Sequence, residues 1–210
     1  MELKKAYFIT GNAYAGKSTM VKLLAKKHGG VALEENYHDV LLPELKSEEF
    51  PNLTYTRDLE DWHDFIRRTP EEYERWVKDV SKECETLELR LLGELKPEGK
   101  PVFVDTNISP ETLKEISDED HVLIMLADPE ISVNRFFERP DREKQFLYRL
   151  MTEESDPERA LENFRECLKR VNSTENYEAL LHSGFKVILR DDKRSVEETL
   201  AMVESCFGLR

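Results

Sequence analysis

The chain has 210 residues, 36% charged and 39% hydrophobic, and its 44 acidic against 31 basic side chains leave a formal net charge of −13. That charge argues against duplex DNA or an anionic membrane as partner, since a polyanion would be repelled rather than neutralised. No apolar run approaches the roughly 20 residues of a membrane span, and the length suits one domain with a sizeable core.

Met1-Glu2-Leu3-Lys4-Lys5 leads straight into the first strand, with no room for a signal peptide. Cys84, Cys167 and Cys206 are odd in number, far apart and without metal spacing, so we expect reduced thiols on helices in a cytoplasmic protein. Ala6-Tyr7-Phe8-Ile9 is a short apolar run suited to a buried parallel strand. It enters Gly11-Asn12-Ala13-Tyr14-Ala15-Gly16-Lys17-Ser18-Thr19, which matches the Walker A pattern G-x-x-x-x-G-K-S at every specified position. The spacing has a physical reason. Gly11 and Gly16 let the backbone curl so that successive N–H groups face phosphate oxygens, Lys17 carries a cation to the β- and γ-phosphates, and the Ser18 hydroxyl is a Mg²⁺ ligand. A helix must leave the loop, and Met20, Leu23, Leu24 and Lys27 recur at helical spacing, so its positive end faces the phosphates.

His28-Gly29-Gly30 stops that helix, and Val31-Ala32-Leu33 reads as a second strand that runs into Glu34 and Glu35. Ligands of open parallel sheets bind at the carboxyl ends of the strands, which places these carboxylates on the edge that carries the phosphate loop. The two point to opposite faces of an extended chain, so one of them is expected to reach the site and accept the proton of an acceptor hydroxyl; a solvated acidic loop is the other reading. Residues 40–69 read as short helices broken at Pro43 and Pro51. Tyr55, Arg57, Trp62, His63 and Arg67 are candidates to line an acceptor pocket, weighed against a packing role for Trp62 and a surface role for His63.

Thr69-Pro70-Glu71-Glu72 opens the longest helix with a cap, a first-turn proline and a capping box. Its stripe of Tyr73, Val77, Val80, Cys84, Leu87 and Leu91 reads as a core or helix-packing face. Val102-Phe103-Val104-Asp105 is a third strand ending in an acid, the pattern of a second nucleotide-binding motif that holds Mg²⁺ or orients the acceptor. His121–Leu126 is a fourth strand, and Asp128-Pro129-Glu130 starts a helix expected to run through Phe136 and Phe137. Arg135 and Arg139 would share its face, with Arg142 beyond Pro140, and three guanidiniums can clamp a transferring phosphoryl group; a salt-bridged surface is the alternative. A helix from Pro157 to Val171, a short helix through Tyr177, a fifth strand over Phe185–Leu189 and a last helix capped by Ser195 complete the chain. The charged loop Arg190-Asp191-Asp192-Lys193-Arg194 lies at a strand's carboxyl end, where it could edge a nucleotide base or form a plain surface turn.

This layout of phosphate loop, acids after strands two and three, and an arginine-rich segment after strand four resembles the nucleoside/nucleotide-kinase-like P-loop phosphotransferases. The resemblance implies an α/β, three-layer P-loop NTPase fold with a five-stranded parallel sheet in the order 2-3-1-4-5. It also implies a helical acceptor-binding region over 38–95 and a lid over 135–150. ATP as donor, Mg²⁺, Glu34 or Glu35 as base and Arg135, Arg139 and Arg142 as lid arginines follow from it. Asp105-Thr106-Asn107 departs from the acid-Arg-Ser signature of deoxynucleoside kinases, and no guanine-specific Asn-Lys-x-Asp motif occurs. The function expected is ATP-dependent transfer of a phosphoryl group to a small molecule, with neither nucleic acid nor membrane as partner and a homodimer as an open option. The alternatives are a nucleotide-switched regulatory ATPase and, against the charge, a nucleic-acid end kinase.

Overall fold

The computed structural model describes residues 5–138 and 142–209. In chain order it forms β1 (Ala6–Gly11), α1 (Lys17–His28), β2 (Val31–Leu33), a 3-10 turn (Tyr37–Glu44), α2 (Pro51–Asp58), α3 (Trp62–Ile66) and α4 (Pro70–Glu94). There follow β3 (Val102–Asp105), α5 (Pro110–Ile116), β4 (Val122–Leu126), α6 (Pro129–Asn134), α7 (Arg142–Thr152), α8 (Pro157–Val171), α9 (Thr174–Leu181), β5 (Lys186–Leu189) and α10 (Val196–Cys206). The five strands make one parallel sheet in the order β2-β3-β1-β4-β5, as expected. The register sets Ile9 against Asp105 and Gly11 against Met125, so the carboxyl ends of the three central strands converge.

Side chains alternate between two covered faces, which is why the strands read as continuous apolar runs. Ile9, Phe103, Leu123 and Met125 pack on one face with Met20, Val21 and Leu24 of α1 and Val203 of α10. Phe8, Val102, Val104, Ile124 and Leu126 pack on the other with Leu92 of α4 and Leu113 of α5. A third apolar cluster of Phe65, Ile66, Tyr73, Leu147, Met151 and Phe164 joins α3, α4, α7 and α8 beyond the sheet.

Two local expectations are corrected. The buried stripe of α1 is Met20, Val21, Leu24 and Ala25, one position round from the predicted one, and Lys27 pairs with Glu204 at 2.8 Å. The helix after β4 ends at Asn134, Arg135 caps it, and a 3-10 turn takes Phe136–Glu138. Phe136 and Phe137 of this turn both reach Phe164, at centroid distances of 5.6 and 6.0 Å. The expectation that Arg135 and Arg139 share a face falls on Arg139, which lies outside the described residues. Within the expected lid, residues 142–152 form α7, anchored by buried Leu147 and Met151.

Candidate active site

The site grows from the turn between β1 and α1. Gly11 has φ +135°, and a Cβ there would lie 1.9 Å from the Met125 carbonyl oxygen, so no other residue lets β1 pass β4 this closely. Asn12 then clamps the end of β4: its Nδ2 donates to Ala127 O at 2.7 Å and its Oδ1 accepts from Ala127 N at 2.7 Å. Gly16 takes φ +93° as the residue that opens α1, leaving the first-turn amides of α1 at the loop. Tyr14 sits at φ +67°, with its hydroxyl donating to Arg135 O at 2.8 Å and its carbonyl accepting from Arg190.

The cationic and metal-ligand groups meet at the tip of β3. Ser18 Oγ donates to Asp105 Oδ2 at 2.6 Å, and Lys17 Nζ lies 3.9 Å from Asp105 Oδ1 while donating to Asn12 O at 3.1 Å. Asp105 is buried, and burial pushes its carboxyl above the usual carboxylate range; Lys17 and Ser18 pull it back, and Glu35 and Glu88 add to the rise. A buried anion short of countercharge, beside a hydroxyl, is a hard oxygen donor set that fits Mg²⁺. Which second-strand acid faces this point is now visible. Glu35 lines the cavity beside Lys17, whereas Glu34 is half-exposed and pairs with Lys22 at 2.8 Å.

Behind Asp105 lies a group that the sequence reading passed over. Glu88 of α4 is fully buried and accepts hydrogen bonds from Thr106 Oγ1 (2.6 Å), Asn107 Nδ2 (2.8 Å), Asn107 N (3.1 Å) and Tyr37 OH (3.3 Å). His38 Nδ1 is 3.2 Å from it and His38 Nε2 is 3.3 Å from Cys84 Sγ. One carboxylate thus ties the loop after Asp105 to the turn after Glu35. The signal was present: 84, 88 and 92 fall four apart on the buried side of α4, so a charge interrupts an apolar row.

A cavity of about 570 Å³ opens from the phosphate loop toward α4, α8 and α9. Gly11, Asn12, Ala13 and Lys17 form one end; Tyr73, Val77, Val80 and Cys84 of α4 form part of the other. The α4 stripe packs as expected, with Tyr73 and Val77 in the third apolar cluster and Cys84 and Leu87 buried, and Tyr73, Val77, Val80 and Cys84 also border this cavity. The residues expected to line an acceptor pocket lie elsewhere. Arg57 donates to Leu42 O and Leu45 O, both at 2.8 Å, and His63 and Arg67 bind Glu154 at 2.7 and 2.9 Å. Trp62 packs on Phe65 and Phe146, and Tyr55 beneath the Arg68 guanidinium. Arg67, while bound to Glu154, also lines a separate cavity of about 420 Å³ with Arg68, Arg75 and Trp76. The expected arginine clamp is also absent from the cavity lining among the described residues: Arg135 is 3.8 Å from Glu138, and Arg142 is exposed at the start of α7. Lys144 of α7 lines the cavity instead, its ammonium over the rings of Phe136 (5.1 Å) and Tyr14 (5.8 Å). On the other side of the loop, a second cavity of about 320 Å³ is lined by Gly16, Thr19, Met20, Met125, Arg190 and Arg194, among others.

Sheet order, register and the glycine-bounded loop that opens α1 together define a P-loop NTPase fold. No protein-family model matches the chain, and no curated protein matches it. Nineteen solved chains match in structure. One is a shikimate kinase from Bacteroides thetaiotaomicron, with 13% sequence identity, a TM-score of 0.48, and coverage of 97% of this chain and 98% of that one.

Proposed function

We propose that this chain is a cytoplasmic, ATP- and Mg²⁺-dependent phosphotransferase that moves the γ-phosphoryl group to a small-molecule acceptor. One observation carries the reading: the cavity of about 570 Å³ extends from the phosphate loop, past Lys17 and Glu35, to side chains of α4, α8 and α9. A nucleotide hydrolase or switch needs no such room beside its phosphate loop, and a phosphotransferase does.

Lys17 and the loop amides bind the phosphates, and the cavity beside Thr19 and Arg190 suits the nucleotide base, its methionines against the ring and its charged loop at the edge. Ser18 and Asp105 are the residues that would hold Mg²⁺, whose contribution when bound is to neutralise charge on the phosphate oxygens. Glu35 accepts the proton of the acceptor hydroxyl as its oxygen bonds to Pγ; the bond from Pγ to the β,γ-bridging oxygen breaks, and ADP leaves with that electron pair. Lys144 lies on the lid side, where it can meet charge on the transferring group. The test is mass spectrometry of a metabolite pool incubated with Mg-ATP and the protein, with Lys17→Ala in parallel. We expect a product heavier by one phosphoryl group that the variant makes orders of magnitude more slowly while keeping its fold. Turnover in Lys17→Ala like that of the wild type would overturn the mechanism.

A further inference from the structure

The far part of the cavity has a chemical character that narrows its occupant, and this inference rests on the phosphotransferase reading above. Three asparagines line it, and each commits one amide N–H within the protein. Asn107 Nδ2 donates to Glu88 Oε1 at 2.8 Å, Asn172 Nδ2 to Leu168 O at 2.8 Å, and Asn176 Nδ2 to Val171 O at 2.9 Å. Each amide also carries a second N–H and a carbonyl oxygen, all of them uncharged. Ser81 likewise donates its hydroxyl to Val77 O at 2.9 Å and leaves lone pairs. Glu35 adds a carboxylate. The other side-chain donors are neutral as well: the hydroxyls of Tyr73, Ser173 and Tyr177 and the amide of Asn36.

Cations are confined to the phosphate end. Among the described residues lining the cavity they are Lys17, in the loop, and Lys144, over Tyr14 and Phe136. No arginine, lysine or histidine among the described residues lines the wall that α4, α8 and α9 form. A carboxylate or phosphate placed against that wall would meet only neutral side chains and lose its water without gaining a countercharge. Val80, Val171 and Leu180 offer apolar area to the other side of the occupant.

We infer that the phosphoryl acceptor is an uncharged molecule that sets neutral polar groups against the asparagines and hydroxyls of this wall and an apolar face against Val80, Val171 and Leu180. Anionic acceptors, whether nucleoside monophosphates or hydroxy acids, are rejected by the same wall.

The experiment needs no prior identity for the acceptor. A microbial small-metabolite extract is split on an anion-exchange resin, and each fraction is incubated with the full-length protein, Mg²⁺ and ATP labelled with ¹⁸O in its γ-phosphoryl group. The label should enter a product from the flow-through, with at least about 100-fold less from the retained fraction, a factor within the penalty that one buried unpaired charge imposes. Label in a product of the retained fraction would overturn the inference and leave the phosphotransferase standing. Label released only as phosphate from both fractions, and dependent on Lys17, would overturn the phosphotransferase reading and this inference with it. Matched pairs make a direct second measurement: adenosine against AMP, cytidine against CMP, glucose against gluconate. A member of the anionic set accepting faster than its uncharged counterpart would again overturn the inference.

Discussion

Replacing Glu88 by Gln changes one atom and one charge at a buried point where five donor groups meet: Tyr37 OH, His38 Nδ1, Thr106 Oγ1, and the backbone and side-chain N–H of Asn107. Hydrogen bonds to an ionised acceptor contribute about 1.5–3 kcal/mol each, against about 0.5–1.5 for neutral ones. A Gln amide nitrogen on the Oε2 side can be met by Thr106 and Tyr37, whose hydroxyls can reverse and accept. The Asn107 N–H cannot reverse. Loss of the charge also relieves its burial, so the net destabilisation expected is about 1–3 kcal/mol, or a Tm lower by about 2–10 °C in a chain of this size. Glu88→Leu leaves the donors without any acceptor and should cost about 3–5 kcal/mol. Urea denaturation measures both. Because Thr106 and Asn107 follow Asp105 directly, and Tyr37 lies two residues after Glu35, turnover should also fall at temperatures where Glu88→Gln is fully folded. A Leu variant as stable and as active as the wild type would refute the idea that Glu88 holds the two loops together.

Gly11→Ala places a methyl group 1.9 Å from the Met125 carbonyl at φ +135°, so the β1–β4 ladder must part, and we expect a loss above about 3 kcal/mol, read as a Tm lower by about 10 °C or more. Gly16→Ala is the contrast: no atom lies within 4 Å of the added carbon, and only the strain of positive φ, about 1–2 kcal/mol, should appear. Asp105→Asn should raise the Tm of the nucleotide-free protein at neutral pH, since burial raises the folded-state pKa of Asp105 and its ionisation therefore works against the fold. The advantage of Asn should be full above the raised folded pKa and vanish as pH falls below the ordinary aspartate value, where the wild-type carboxyl is protonated in both states; calorimetry from pH 3 to 8 checks it, and a lower Tm for Asn at pH 7 would contradict the sign. Burial, with Glu88, Asp39 and Glu83 nearby, pushes the Cys84 thiol up to about 12, and burial pushes Cys167 up to about 11. At pH 8 the Cys84 thiolate fraction is then about 10⁻⁴, so iodoacetamide should leave both thiols unmodified in the native protein and label them after unfolding.

Much of the architecture was legible because its causes are local. The phosphate loop depends on two glycines, a lysine and a serine at fixed spacing, and the capping boxes of α4 and α10 depend on residues three apart. The continuous apolar runs of β1, β3 and β4 mark short strands covered on both faces, and the order of strands and helices then dictates a parallel sheet. The acids of the site were also readable as candidates, since strand polarity alone puts Glu34, Glu35 and Asp105 at one edge.

Tertiary structure decided everything that hangs on a distant partner. Glu34 turns to Lys22 while Glu35 faces Lys17, a choice that the backbone of β2 alone does not make. Arg67 and His63 are claimed by Glu154, which lies 87 and 91 residues away in the chain. The apolar stripe of α4 packs on Phe164 of α8 through Tyr73 and also borders the cavity through Val77, Val80 and Cys84, a second role that nothing within the helix marks. Composition placed the right residue types in the right segments, and the long-range pairings, whose free energy depends on geometry that no local window contains, determined which of them reach the site.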